Sequence, residues 1–305
     1  MLSGMTMHDD QVDITADAVA TLVSDRFPEW SGLSVVRVHQ TGTVHTIFRI
    51  GDEFAVRFPL RPAEPAAVRQ ELEAEQRALA ELGDHLDIAV PTSLGLGEPG
   101  AGYPMAWAAQ TWLPGEPAWD VATTGADGRV LDDVVTLLAD LRSIPVRGRT
   151  FSRRGRGGDL RHHDGWVATC LDRSAGLLPV DELGRIWQRL RDLPRHSPDT
   201  ITHGDLIPGN LLVDDGRLVG VLDPGMFGAA DPALDLIVAW HLFEAEQRSQ
   251  VRDRLTPLGV TDLDWERGKA WAFEQALGLV WYYQQSNPTV SQQGRRTLTR
   301  ILGAD

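Results

Sequence analysis

Residues 202–225 read "THGDLIPGNLLVDDGRLVGVLDPG", which puts two aspartates and an asparagine around a short apolar hairpin. Asp215-Gly216 is a strong two-residue turn signal, because such a turn needs positive φ at both central positions. With residue 214 opposite 217, residue 210 falls opposite 221. Asn210 and Asp223 are then diagonal neighbours on one face, roughly 7–8 Å apart at the backbone. A carboxylate and an amide oxygen at that reach suit Mg²⁺, which prefers oxygen ligands and keeps waters and substrate phosphates as the rest of its shell. Asp205 sits in the loop before the hairpin and is available to take a proton from a hydroxyl. Asp and Asn are common in turns, where they bond their own backbone. Any one of the three alone reads that way; the ordered set His-Gly-Asp, Asn, hairpin, Asp-Pro-Gly does not.

The composition bounds the setting. At 305 residues and 42% hydrophobic, the chain can form one large domain or two packed lobes. No apolar run approaches the roughly 18 residues of a membrane span. The opening "MLSGMTMHDD" lacks the basic and apolar parts of a secretory leader, so a cytoplasmic protein is expected. A lone cysteine, Cys170, excludes intramolecular disulfides and thiolate-rich metal sites. The net charge of −14 opposes nucleic acid and anionic membranes and favours cationic partners. A monomer or homodimer with neither nucleic-acid nor membrane partner is the expectation. Lys269 is the only lysine, so a cation required upstream must be arginine.

Along the chain, an amphipathic start ("ADAVATLVSDRF") precedes three strand-like segments, "LSVVRVHQ", "HTIFRIG" and "EFAVRFP", rich in β-branched and aromatic residues. "AAVRQELEAEQRALAELGDHL" has helical spacing and a stop signal at Gly83. "PTSLGLGEPGAGYP" reads as loop and "MAWAAQTW" as a buried strand. Helical patterns follow in "VLDDVVTLLADLRSI", "VDELGRIWQRLRDL", "DPALDLIVAWHLFEAEQRS" and "WERGKAWAFEQALGLVWYYQQ". The basic, glycine-rich island "RGRTFSRRGRGGDLRHH" has no interleaved aromatics to support RNA binding and reads as a mobile surface loop near a substrate entrance, with His162 and His163 as a surface pair.

At H-G-D-x-x-x-x-N, the hairpin and the second aspartate, the chain resembles the aminoglycoside phosphotransferase family, which shares the bilobal fold of protein kinases. The resemblance implies an α+β, protein-kinase-like fold. Residues 1–112 would form a small antiparallel-sheet lobe with one key helix that binds nucleotide. Residues 113–305 would form a larger, mainly helical catalytic and substrate-binding lobe. It also implies Asp205 as catalytic base, His203 as a brace of its loop, and Asn210 and Asp223 as Mg²⁺ ligands. "GAADPALDL" matches the family's G-x-x-D-P-x-x-D-L segment, with Asp231 and Asp235 structural.

A kinase-like fold needs a cation on its third strand to hold donor phosphates, paired with a glutamate on the next helix. In "EFAVRFP", Ala55 and Arg57 share one face by alternation, and Arg57 stands in the lysine's place. Positions 68, 72, 75, 79 and 82 form one helical stripe, apolar except for Glu75. A carboxylate there is costly unless it meets a cation, which singles out Glu75, with Glu71 as the fallback. Arginine is a wider, planar fork than lysine, so two explanations compete: Arg57 is the phosphate clamp, or the chain is a degenerate kinase. Gly42 occupies the place of the loop over the triphosphate, and the backbone around Thr111 and Leu113 that of the hinge that binds the purine of ATP or GTP. The acceptor implied is a hydroxyl-bearing, cationic small molecule such as an aminoglycoside or other antibiotic, as in antibiotic resistance, with Asp164, Asp264 and Glu274 as candidate contacts. A metabolite kinase and a non-catalytic nucleotide-binding protein are the alternatives.

Overall fold

In a computed structural model that describes residues 11–38, 44–120 and 128–304, the alternating segments of the first third build one antiparallel sheet. Its strands are β1 (Val35–Arg37), β2 (His45–Ile50), β3 (Phe54–Pro59), β4 (Ser93–Gly97) and β5 (Trp107–Thr111), in the order β1-β2-β3-β5-β4. Helix α1 (Ala16–Arg26) is capped by the Thr15 side chain, and α2 is Pro65–His85. Val56, Phe58 and Trp107 are fully buried among Phe27, Trp30, Phe48 and Tyr103, with Phe58 stacked on Trp107. Such aromatic packing contributes most of the apolar burial available to a sheet this small.

Two details depart from expectation. The stretch read as loop contains β4, an edge strand whose pairing is interrupted between Ser93 and Gly95. A side chain at Gly97 would occupy the place of the Trp107 ring, with its Cβ 1.9 Å from it. Glycine here marks close approach and not a turn. Helix α2 also runs two residues beyond Gly83, ending at His85.

The chain divides into two compact units, Met1–Asp84 with Ala89–Pro114, and His85–Ile88 with Gly115–Asp305. The observed division thus differs from one after residue 112 by two residues, and 85–88 group with the second unit.

The second unit holds α3 (Arg129–Ser143), α4 (Asp164–Arg173), α5 (Val180–Leu190), α6 (Ile237–Leu242), α7 (Ala245–Leu255), α8 (Asp262–Tyr282) and α9 (Pro288–Leu302). Helix α8 is buried over most of its length, and Trp271, Phe273, Ala276 and Leu277 are fully buried as α4, α5, α6 and α9 pack against it. The single lysine, Lys269, is buried on this helix over the Trp240 ring. The apolar run 231–249 is not one helix. It breaks at Phe243, and Glu244 with Gln247 forms a capping box that starts α7.

Short strands complete the unit: β6 (Glu116–Pro117), β8 (Leu211–Asp214) and β9 (Arg217–Val221) in one sheet, β7 (Thr200–Thr202) and β10 (Gly228–Ala230) in another. The β8–β9 hairpin turns at Asp215 and Gly216, both at positive φ. Asp214 pairs with Arg217 and Val213 with Leu218, but Leu212 pairs with Gly220 and Leu211 with Val221. Val219 is an extra residue in a bulge, beside the glycine that such a bulge favours. The expected pairing of 210 with 221 is therefore off by one, and the Asn210 carbonyl accepts from Leu222 N at 2.8 Å.

Candidate active site

The bulge changes the expected relation of Asn210 to Asp223. With 222 opposite 210, simple alternation would put 223 on the other face. Alternation does not extend to Asp223, because β9 ends at Val221 and the φ of Asp223 is +58°, in the left-handed region. Asp223 is half-buried, with further interactions.

The loop before the hairpin is held from below. Backbone N–H groups of His203 and Gly204 donate to the two oxygens of Asp235 at 2.9 and 2.8 Å. Asp235 is 4% exposed, and burial raises its pKa. The fully buried His203 donates from Nε2 to Leu222 O at 3.0 Å, and its Nδ1 accepts from Asp205 N at 3.4 Å. His203 therefore ties the loop to the strand end that precedes Asp223.

Asp205 lies above this brace with its side chain 26% exposed. Oδ1 accepts from Arg156 Nη2 at 2.7 Å and from Gln275 Nε2 at 2.6 Å. Oδ2 accepts from Asn210 Nδ2 at 3.1 Å, and the same amide donates to Asp205 O at 2.9 Å. With Nδ2 committed to Asp205, Oδ1 of Asn210 is the atom turned away from it. An amide oxygen and a carboxylate are both of the hard-donor type that Mg²⁺ prefers. No cluster of three or more His, Cys, Asp or Glu side chains suited to a metal occurs among the described residues.

In the first unit, Arg57 is 4% exposed and donates from Nη1 to Glu75 Oε2 at 2.9 Å and from Nη2 to His45 Nδ1 at 3.1 Å. Glu75 is half-buried among Val68, Leu72, Leu79 and Leu82, whereas Glu71 is exposed. Thr111 N–H donates to Thr92 O at 2.9 Å, so it is used within the sheet, and Leu113 lies in the coil that follows. Gly42 lies outside the described residues.

The three carboxylates considered for the acceptor are each engaged. Asp164 takes Arg191 and Trp187 Nε1, and the Arg191 bond holds its pKa below the usual carboxylate value. Asp264 caps α8 through Thr261 and meets Ser197. Glu274 Oε1 meets His163 Nδ1 at 2.8 Å, while its buried Oε2 has no partner. Cys170 is buried and its thiol is pushed up to about 11, outside thiolate chemistry.

The basic island is not a detached surface loop. Arg156 reaches Asp205, Gly157 O accepts from Asp231 N, and Gly158 O accepts from Arg267. Nor are the two histidines a surface pair, since His163 packs edge-on against Trp271. The long-range contact of Arg156 left no periodicity to read. Gln275 left only a faint trace, as one of two adjacent polar residues, with Glu274, between apolar stretches of α8.

Comparison with known proteins gives this arrangement a context. A model of the "Phosphotransferase enzyme family" matches residues 35–271, more than three quarters of the chain. An aminoglycoside 3'-phosphotransferase of Escherichia coli is 33% identical over 144 residues, 45% of this chain and 52% of that protein. One of Streptomyces fradiae is 29% identical over 201 residues, 62% of this chain and 70% of that protein. The first of these matches therefore spans about half the length of the relative. Among solved structures, the GDP complex of an aminoglycoside 2'-phosphotransferase superposes with a TM-score of 0.71 at 15% identity, covering 96% of this chain and all of that one. A macrolide 2'-phosphotransferase of Brachybacterium faecium gives 0.58 at 21% identity, covering 93% and 97%. At such identities the superpositions speak for the fold alone, an α+β arrangement of a five-stranded antiparallel sheet and a helical half. The chain belongs to the phosphotransferase enzyme family.

Proposed function

We propose that this protein transfers the γ-phosphoryl group of Mg²⁺-bound ATP or GTP to a hydroxyl of a small molecule, an aminoglycoside or related antibiotic in the first instance. The observation that carries the reading is the state of Asp205: a carboxylate fixed on one oxygen, open on the other, partly exposed, and hydrogen-bonded to the amide of Asn210. In this reading Asp205 orients the acceptor hydroxyl and takes its proton. Asn210 and Asp223 would hold the metal, which when bound neutralises charge on the donor phosphates. His203 and Asp235 keep the loop in place. Arg57, steadied by Glu75 and His45, contributes the positive charge that the lysine of related folds contributes, and its fork suits phosphate oxygens. Backbone groups near Leu113 would meet the purine, since the Thr111 N–H is already used. Catalysis is then mainly positioning and charge stabilisation.

For the acceptor, the buried Glu274 Oε2 without a partner favours an ammonium donor, and the net charge of −14 points the same way. A second reading is a kinase of a neutral or anionic metabolite. It is favoured by Arg156 next to Asp205 and by the internal engagement of Asp164 and Asp264.

The test is incubation with Mg²⁺, ATP or GTP and a panel of aminoglycosides, macrolides and hydroxylated metabolites, followed by mass spectrometry for a gain of one phosphoryl group. A product from an aminoglycoside that is absent with Asp205→Ala supports the first reading. A product only from a metabolite supports the second. Nucleotide binding without any product would leave a non-catalytic protein and sink both.

A further inference from the structure

The groups that hold Asp205 come from parts of the chain with no role in the reaction scheme: the basic loop, α6, α8 and α9. We propose that Arg156 and Gln275, the latter backed by His241, are positioning residues that lock the Asp205 carboxylate so that Oδ2 is the oxygen that takes the acceptor's proton. The assignment rests on the phosphotransfer reading.

A carboxylate oxygen accepts about two hydrogen bonds along its lone pairs. Oδ1 has both occupied, by Arg156 and Gln275, whereas Oδ2 has one, from Asn210. Only Oδ2 keeps a vacant direction for a hydroxyl. In the step this permits, the acceptor O–H bond breaks and its proton passes to Oδ2. The acceptor oxygen bonds to the γ-phosphorus, the bond to the β,γ-bridging oxygen breaks, and nucleoside diphosphate leaves with that electron pair.

The orientation of Gln275 is itself imposed. His241 is 1% exposed, and burial pushes its imidazole down to about 4, so it is neutral near pH 7. Its Nε2 bonds Gln275 Oε1 at 3.0 Å and its Nδ1 bonds Thr297 Oγ1 at 2.8 Å. Gln293 Nε2 donates to both Thr297 Oγ1 and the His241 carbonyl. Gln275 Nε2 faces the Asp205 carboxylate, so Oε1 faces His241 and Nε2 of His241 donates to it; Nδ1 of the neutral ring then accepts from Thr297 Oγ1, whose hydroxyl also lies 3.1 Å from the Gln293 carbonyl. A flipped amide would set oxygen against oxygen.

Arg156 differs from a structural arginine in the same unit. Arg267 finds acceptors for Nε, Nη1 and Nη2, but the buried Nε of Arg156 has none. An unpartnered buried donor is a cost to stability. A role on Asp205 accounts for its persistence where a packing role does not.

The experiment measures kcat, acceptor KM, nucleotide affinity and melting temperature for Arg156→Ala, Arg156→Lys and the isosteric Gln275→Glu, which turns a donor into an acceptor. Loss of alignment at a reacting group costs about 10²-fold, and that loss is expected in kcat, with KM, nucleotide affinity and melting unchanged. Guanidinium added to Arg156→Ala should restore part of the rate, and Arg156→Lys should fall between wild type and Ala. Unchanged kcat in the three variants, with wild type active, overturns the positioning role alone. Loss of kcat that tracks a fall in melting temperature or nucleotide affinity, without guanidinium rescue, assigns a merely structural role and overturns it too. A wild type that phosphorylates nothing and releases no phosphate from nucleotide overturns the phosphotransfer reading, and this inference with it.

Discussion

Asp205 and Asp231 lie in the same unit, each bound by an arginine, and they make opposite uses of the pair. Asp231 has its side chain 1% exposed; Oδ2 accepts from Arg267 Nε and Nη2 and from Trp271 Nε1, and Oδ1 from Ala233 N. Its partner arginine spends its remaining donors on the carbonyls of Leu193 and Gly158. Each oxygen of Asp231 and each nitrogen of the Arg267 guanidinium has a partner and neither group is accessible, which is how a buried charge becomes tolerable. Asp205 is 26% exposed and keeps one oxygen half used. Burial with a fully paired arginine makes a strut; a vacancy that solvent can reach makes a reagent.

The first way to break the comparison is to remove the Asp231 charge. Asp231→Asn leaves Arg267 buried and uncompensated and should cost about 3–5 kcal/mol of stability, read by urea unfolding. A loss below about 1 kcal/mol, the scale of an exposed pair, would mean the network is not a strut. Next comes the backbone between the two. Gly204 has φ +82°, and a Cβ there would lie 2.8 Å from the Met226 carbonyl oxygen. Gly204→Ala should cost at least about 1–2 kcal/mol for the left-handed backbone alone, and should lower turnover by shifting Asp205. A variant that melts and turns over like wild type would show that the loop has slack.

How much of this was legible follows from which forces leave local traces. Glu75 could be singled out because a helix repeats its faces, and Asp215-Gly216 because a two-residue turn demands particular backbone angles. The bulge at Val219 also had a mark, Gly220 inside a strand. Strand β4 had none, since its Pro- and Gly-rich sequence forms an edge through backbone pairing that side-chain pattern does not report. Arg156 was unreadable for a different reason. Its partner lies 49 residues away, and a contact across that distance between a loop and a loop obeys no period.

A subtler probe is the pH dependence of stability. His241 titrates at about 6.5 in the unfolded chain and about 4 when buried. Between those values the unfolded state takes up a proton that the folded state refuses. Stability therefore falls as pH drops through that window, by up to about 1.4 kcal/mol per pH unit. Burial raises the pKa of Asp235, so it acts with the opposite sign, retaining a proton in the folded state at pH values where the unfolded chain has lost it. Subtracting the profile of His241→Gln from that of wild type isolates the histidine. A difference that does not change between pH 6.5 and 4 would mean that the folded His241 takes up its proton as readily as the unfolded chain does, and the neutral state assigned to it would go.

The smallest stability effect is expected from the same chemical change made at the other aspartate. Asp205→Asn keeps an oxygen for Arg156 and Gln275 but sets its amide against that of Asn210, at a site open to solvent. An exposed ion pair contributes about 0–1 kcal/mol, and water can satisfy the displaced groups, so unfolding should shift by no more than about 1 kcal/mol. Turnover should nevertheless fall by about 10²–10⁴-fold, the range of a positioned general base, while nucleotide affinity holds. One substitution in two places then separates the two uses of a carboxylate: stability lost at 231, rate lost at 205. Should Asp205→Asn instead unfold the protein as Asp231→Asn does, Asp205 would be a second strut, and the proton would have to be taken elsewhere.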